Sequence, residues 1–139
     1  MKLRRFVRRA DSGQATIEFA LAIPVLLLVV LGTFDVARAV WQENTLAFAA
    51  REGARYAIVR GSVCPCTPVV QADVATYVQR YTIGVPNVTV TAAWPSGNDP
   101  GSPVTVTATS RFVPIASRYF LGGALQVTLT GGSTMIIQQ

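Results

Sequence analysis

The feature that most constrains this chain is an uncharged run of sixteen residues, Phe19 to Phe34 (FALAIPVLLLVVLGTF), set just behind a basic stretch. A chain of 139 residues has room for one modest core, too small to bury a helix that is apolar all round. In helical form the run covers about 24 Å, short of the roughly 30 Å hydrocarbon layer of a bilayer. Ala15 to Ile17 supply the missing length, which predicts a membrane span from about 15 to 35 and draws Glu18 to the inner edge of the lipid. Pro24 would kink such a helix, a feature that lipid-embedded helices tolerate.

The net charge of +5 would suit a nucleic-acid binder if it were spread over a face. It is not. Lys2, Arg4, Arg5, Arg8 and Arg9 against Asp11 put +4 into the first thirteen residues and leave +1 for the rest. Lys and Arg beside an apolar span are retained in the cytoplasm, so the N-terminus is expected inside and the remainder outside. The basic stretch and apolar run also resemble a removable signal peptide, with Ala37-Arg38-Ala39 as its small-residue cleavage site.

Asp35 to Arg60 contains no Pro and is rich in good helix formers, so one rod is expected from about Gln14 to Val59. Ala49, Gly53 and Ala57 fall four apart on one stripe, where small side chains admit a close neighbour. GSVCPCTP ends the rod as a loop. Thr67 and Pro68 look like the N-cap and first residue of a short helix carrying Val70, Val74, Tyr77 and Tyr81 on one face, with Gly84 as its stop. Beyond Gly84 the period becomes two: Val88, Val90, Ala92 and Trp94, then Val104, Val106 and Ala108, alternate with Thr or Ala. The Pro- and Gly-rich stretch from Pro95 to Pro103 reads as a hairpin loop, and Pro114 to Gly123 as a compact turn. Leu125, Val127 and Leu129 continue the alternation, with a bulge expected at Gly131-Gly132 before Met135 to Ile137.

The resulting fold class is α+β: a long N-terminal transmembrane helix continuing into a small domain with one or two short helices and a three- or four-stranded antiparallel sheet. The expected divisions are a basic cytoplasmic leader at 1–13, the long helix at 14–60 and an extracytoplasmic domain at 61–139.

The chain has no His, which excludes imidazole acid/base catalysis, Ser-His triads and His-bearing zinc sites. The six acidic residues after the leader are scattered, no Gly-rich phosphate loop follows a strand, and no active site, metal site or cofactor is expected. Cys64 and Cys66 flank Pro65. An exported position favours a local disulfide, with free thiols or a bridge to another chain as alternatives.

One motif carries functional information. Gly13-Gln14-Ala15-Thr16-Ile17-Glu18-Phe19 lies between the leader and the apolar run, and it resembles a class III prepilin-peptidase site. In such a site cleavage follows Gly, here Gly13, a Glu stands fifth in the mature chain, here Glu18, and an aromatic follows, here Phe19. The stretch SGQATIEFALAIPVLLLVVLGTFDVARAV, with AAREGARYAIVRG at 49–61 and the closing GSTMIIQQ, is similar to the TadE-like family of tight-adherence pilus assembly proteins. The resemblance implies a non-enzymatic minor pilin-like (pseudopilin) subunit of the bacterial cytoplasmic membrane or a surface pilus, processed between Gly13 and Gln14 by a membrane aspartyl prepilin peptidase. It implies assembly into an oligomer or filament with other pilin or pseudopilin subunits, served indirectly by platform proteins and a secretion ATPase. The expected contacts are protein and membrane lipid, with no nucleic acid. Two departures stand out: a mature chain starting at Gln14 can cyclise and lose its amine, and Pro24 lies early in the helix. The alternative reading is a binding or adhesion domain, anchored or freed after Ala39; a membrane-anchored enzyme has no residues to recommend it.

The charge asymmetry gives a direct test. A reporter active only outside the cytoplasm, fused after Gln139, is expected to be active, and an inactive but stably expressed fusion would refute the orientation.

Overall fold

The computed structural model describes residues 4–138, with side chains from Gly13 onward except that of Phe120. Lys2, Gln139 and the side chains of Arg4, Arg5, Arg8, Arg9 and Asp11 lie outside the described residues.

Helix α1 runs unbroken from Arg4 to Ile58, 55 residues with Pro24 inside it. It starts ten residues before the expected Gln14, because nothing from Arg4 to Gly13 breaks a helix and Arg, Ala and Val all extend one. From Gly13 to Val30 every residue is exposed, and Cβ atoms added at Gly13 or Gly32 would meet nothing within 4 Å. The most apolar 18-residue window of α1 has a mean hydropathy of 2.4 with none of it buried, so the helix is long and apolar enough to cross a membrane. Thr33 keeps its hydroxyl satisfied by donating to the Val29 carbonyl at 2.9 Å, one turn back.

From Asp35 onward the same helix acquires a covered side. Leu46, Ala49, Ala50, Ala54 and Ala57 are fully buried. The helix ends at Ile58, shortly before Gly61 and the loop behind it, with Arg60 placing its guanidinium 3.9 Å from the Tyr56 ring centroid. In that loop Cys64 and Cys66 are joined by a disulfide.

Helix α2 spans Gln71–Gln79, and the three strands are β1 (Thr89–Ala93), β2 (Pro103–Phe112) and β3 (Val127–Ile136). They form one antiparallel sheet in the order β1-β2-β3. Val90 and Ala92, Val104 to Phe112 in alternation, and Leu129 with Gly131 point to the core, as the period of two requires. The outer face is a lattice of threonines: Thr89 pairs with Thr109 and Thr91 with Thr107, while Thr105 meets Thr134 with 2.9 Å between their hydroxyls. Helix α3 (Ile115–Phe120) joins β2 to β3. Helix α1 and α2 together cover the apolar side of the sheet, which completes an α+β fold with a long apolar N-terminal helix.

Three expectations are corrected. First, α2 starts at Gln71 with Val70 as N-cap, not at Thr67-Pro68, because the Val69 amide is held by the Arg60 carbonyl at 3.2 Å and the segment stays irregular up to that point. Val69 is therefore buried and Val70 exposed, and Val74 and Val78 form the inner face. Asp73 Oδ2 accepts from the Val70 amide at 3.3 Å. Second, the segment taken as a turn, Pro114 to Gly123, contains α3. Third, Gly131-Gly132 form no bulge: the register runs on through Ala108↔Gly131 and Thr107↔Gly132. Gly131 instead marks the place where β3 crosses α1, since a Cβ there would collide with the backbone of Leu46 and Ala47. The absent side chain is what lets the sheet rest on the helix.

The crossing separates the two glycines experimentally. Gly131→Ala must push helix and strand apart, with an expected loss of about 1–3 kcal/mol. Gly132→Ala, whose Cβ would have only Thr107 Oγ1 and the Val106 carbonyl 4.0 Å away, should change stability by less than about 0.5 kcal/mol. Thermal unfolding of the full chain in detergent micelles, followed by circular dichroism, measures both; equal shifts would refute the contact.

Candidate functional site: the exposed helix and its anchor in the sheet domain

Gly13, Gln14, Glu18 and Phe19 all lie within α1 and all are exposed. Gln14 and Glu18 are one turn apart and share a surface strip with Gly13, Ile17 and Leu21. The bond between Gly13 and Gln14 is therefore helical and exposed. Gly is about 1 kcal/mol poorer than Ala as a helix former, so this is a place where the helix opens at low cost.

Ala49, Gly53 and Ala57 are buried together. A Cβ added to Gly53 would run into Val78 of α2 and lie 3.2 Å from Val106 and 3.5 Å from Val74. At Gly53 the small stripe is thus covered by α2 and β2 of the same chain. Above it, Tyr56 stacks on Tyr77 with centroids 4.3 Å apart, and Tyr77 shares a 3.1 Å hydrogen bond with Tyr81. That bond, helped by desolvation, holds the Tyr77 hydroxyl above the usual phenol range. Cys64 and Cys66 sit at the opposite end of the sheet domain from α3, beside the β1–β2 loop, where Ser62 donates to Asp99 Oδ1 at 2.6 Å.

Sequence reasoning missed Asp35. It follows Phe34, is buried, and receives the Ile115 amide on both carboxylate oxygens, at 3.0 and 2.8 Å. Arg38 completes the cluster, 3.0 Å from Asp35 Oδ1 and with its guanidinium 5.3 Å from the Phe112 ring centroid. The first turn of α3 is thereby fixed to α1 where the uncharged run ends. The available signal was the position of an acid at that boundary, but its partner is 80 residues away. By contrast the Glu52–Arg55 pair, 3.0 Å apart on the surface, contributes a few tenths of a kcal/mol.

Among the described residues no group of three His, Cys, Asp or Glu side chains could hold a metal.

Removing the Asp35 carboxylate leaves the part-buried Ile115 amide without its partner, so Asp35→Ala should cost about 1–3 kcal/mol at this contact, and Arg38→Ala about 1 kcal/mol or less. Trypsin cleavage after the exposed Arg118 reports local opening of α3. It is expected to accelerate strongly in Asp35→Ala and weakly in Arg38→Ala, and unchanged rates in Asp35→Ala would refute the anchoring role.

Compared with known proteins, the chain matches the family model described as TadE-like protein over residues 13–55. No curated protein and no solved structure matches. The match begins at Gly13, includes Glu18 and Phe19, takes in the whole bare stretch of α1 and stops two residues past Gly53. Over residues 13–55 this chain is similar to the TadE-like family, the one that the motif from Gly13 to Phe19 resembles.

Proposed function

We propose that the protein is a minor pilin-like component of a tight-adherence pilus or a related secretion apparatus, non-enzymatic, and assembled through the N-terminal half of α1. The observation that carries this reading is the coincidence of the TadE-like match with a helix whose apolar side chains are all exposed from Gly13 to Val30. Such a surface needs lipid first and other helices afterwards.

Glu18 gains a purpose in this scheme. Cleavage after Gly13 removes the basic leader and creates an α-amine on Gln14, largely cationic at neutral pH. Glu18 lies one turn away and can pair with the amine of its own chain or of a neighbour. An ionised side chain deep in lipid costs on the order of 3 kcal/mol, and an ion pair at about 4 Å returns roughly 4 kcal/mol at an effective dielectric near 20. Pairing therefore offsets burial. Partners in this reading are other pilin-like subunits, a prepilin peptidase and, indirectly, platform proteins and a secretion ATPase.

The alternative cut after Ala39 would discard Asp35 and Arg38, and with them the attachment of α3 and the neighbour of Phe112. The lower part of the sheet domain would lose its support. This favours a chain that keeps α1.

Two variants test the proposal. Gly13→Leu should leave a full-length, membrane-inserted precursor that does not assemble. Glu18→Ala should still be cut, giving a mature chain with Gln14 first by intact mass, yet enter pili at least about tenfold less, the equivalent of about 1.4 kcal/mol. Normal assembly of Glu18→Ala, or unchanged processing of Gly13→Leu, would overturn it.

A further inference from the structure

We infer that α3 and the turn after it form a foot that rests on the lipid surface at the point where α1 leaves the bilayer. The inference depends on α1 spanning the membrane. At the lower end of the sheet domain, Tyr119, Leu121, Leu125 and Val127 are 78%, 54%, 59% and 54% exposed, beside the exposed cation Arg118. These side chains are displayed by a built scaffold. Ser117 is buried, and its hydroxyl donates to the Leu125 carbonyl at 3.1 Å and accepts from the Leu125 amide at 2.9 Å. Its carbonyl receives the amides of Leu121 and Gly123 at 3.0 and 2.9 Å. The turn through Gly122 and Gly123, with φ of 58° and 80°, is held around this one serine, so Leu121 and Leu125 have no ready way to fold back.

Their height along α1 is fixed as well. The Asp35–Ile115 bonds place the start of α3 level with the first charged residue after the apolar run, next to the exposed Phe34. An apolar patch there continues the lipid-facing surface of α1 sideways. A tyrosine, leucines and one arginine are the residue types suited to the headgroup boundary, where aromatic rings and long cationic side chains settle and aliphatic ones reach the acyl chains. The occupant is therefore lipid.

The test uses the full chain in nanodiscs of phosphatidylethanolamine and phosphatidylglycerol. Because Cys64 and Cys66 are bridged, a single new cysteine takes the polarity-sensitive dye at Leu121→Cys, Leu27→Cys or Ser96→Cys, the last in the loop at the far end of the domain. All three positions are exposed, so the fold is not threatened. Lipids spin-labelled near the headgroup should quench the dye at position 121, while aqueous iodide should quench it at least about threefold less than at position 96. Iodide quenching at 121 equal to that at 96 overturns the foot. So does shielding from iodide without quenching by lipid, which would mean that a second copy covers the patch. The dye at position 27 tests the underlying span: if acyl-chain spin labels quench it and position 121 stays wet, only the foot is wrong, whereas a wet position 27 removes the membrane reading and the foot with it.

Discussion

Everything above the bare stretch of α1 depends on how closely a sheet can approach a helix. Where β3 crosses α1, Gly131 sits against the backbone of Leu46 and Ala47. About two turns further along, Gly53 admits Val78 and Val106. Small residues at these two places allow α2 and the sheet to share a single buried face with Leu46, Ala50, Ala54 and Ala57. Larger ones would push the three elements apart and open the core, since interiors are packed at crystal density.

The same helix thus does two different jobs along its length. From Gly13 to Val30 its surface is uncovered, and apolar on every side from Phe19; above Asp35 it is a core helix with one dry face. The change falls within a single turn, and Asp35 makes it. Its carboxylate is too polar for lipid, yet it is buried because the Ile115 amide and the Arg38 guanidinium satisfy it. A charge at this boundary could have been left to water. Here it holds the nearest part of the sheet domain in place.

Much of this was legible in the residues. The upper rod follows from Asp35 to Arg60, a stretch without Pro, and the strands from Thr alternating with Val or Ala at Val90, Val104 and Val106. Other features depend on partners far away in sequence. Thr67-Pro68 has the chemistry of a helix start, but the tether from Val69 to Arg60 delays α2 to Gln71. Paired glycines at 131 and 132 suggest a bulge until a helix is known to lie beneath the first of them. Asp35 looks like the plain end of an apolar run, and Ser117 like an ordinary turn residue, until Ile115 and Leu125 are seen to bind them. The motif at Gly13, Glu18 and Phe19 was legible in another way, through family likeness, and its exposed helical geometry adds where these side chains stand relative to one another.

The unbroken course of α1 has one more consequence. No hinge separates the part suited to lipid from the part that carries the sheet, so the azimuth of the helix and the direction faced by the threonine lattice are locked together. One residue inserted between Phe34 and Asp35 would lift the domain by about 1.5 Å and swing it by roughly 100° about the helix axis. A partner that gripped the lower helix would therefore choose, without touching it, which way the sheet looks. Torque applied at one end arrives at the other.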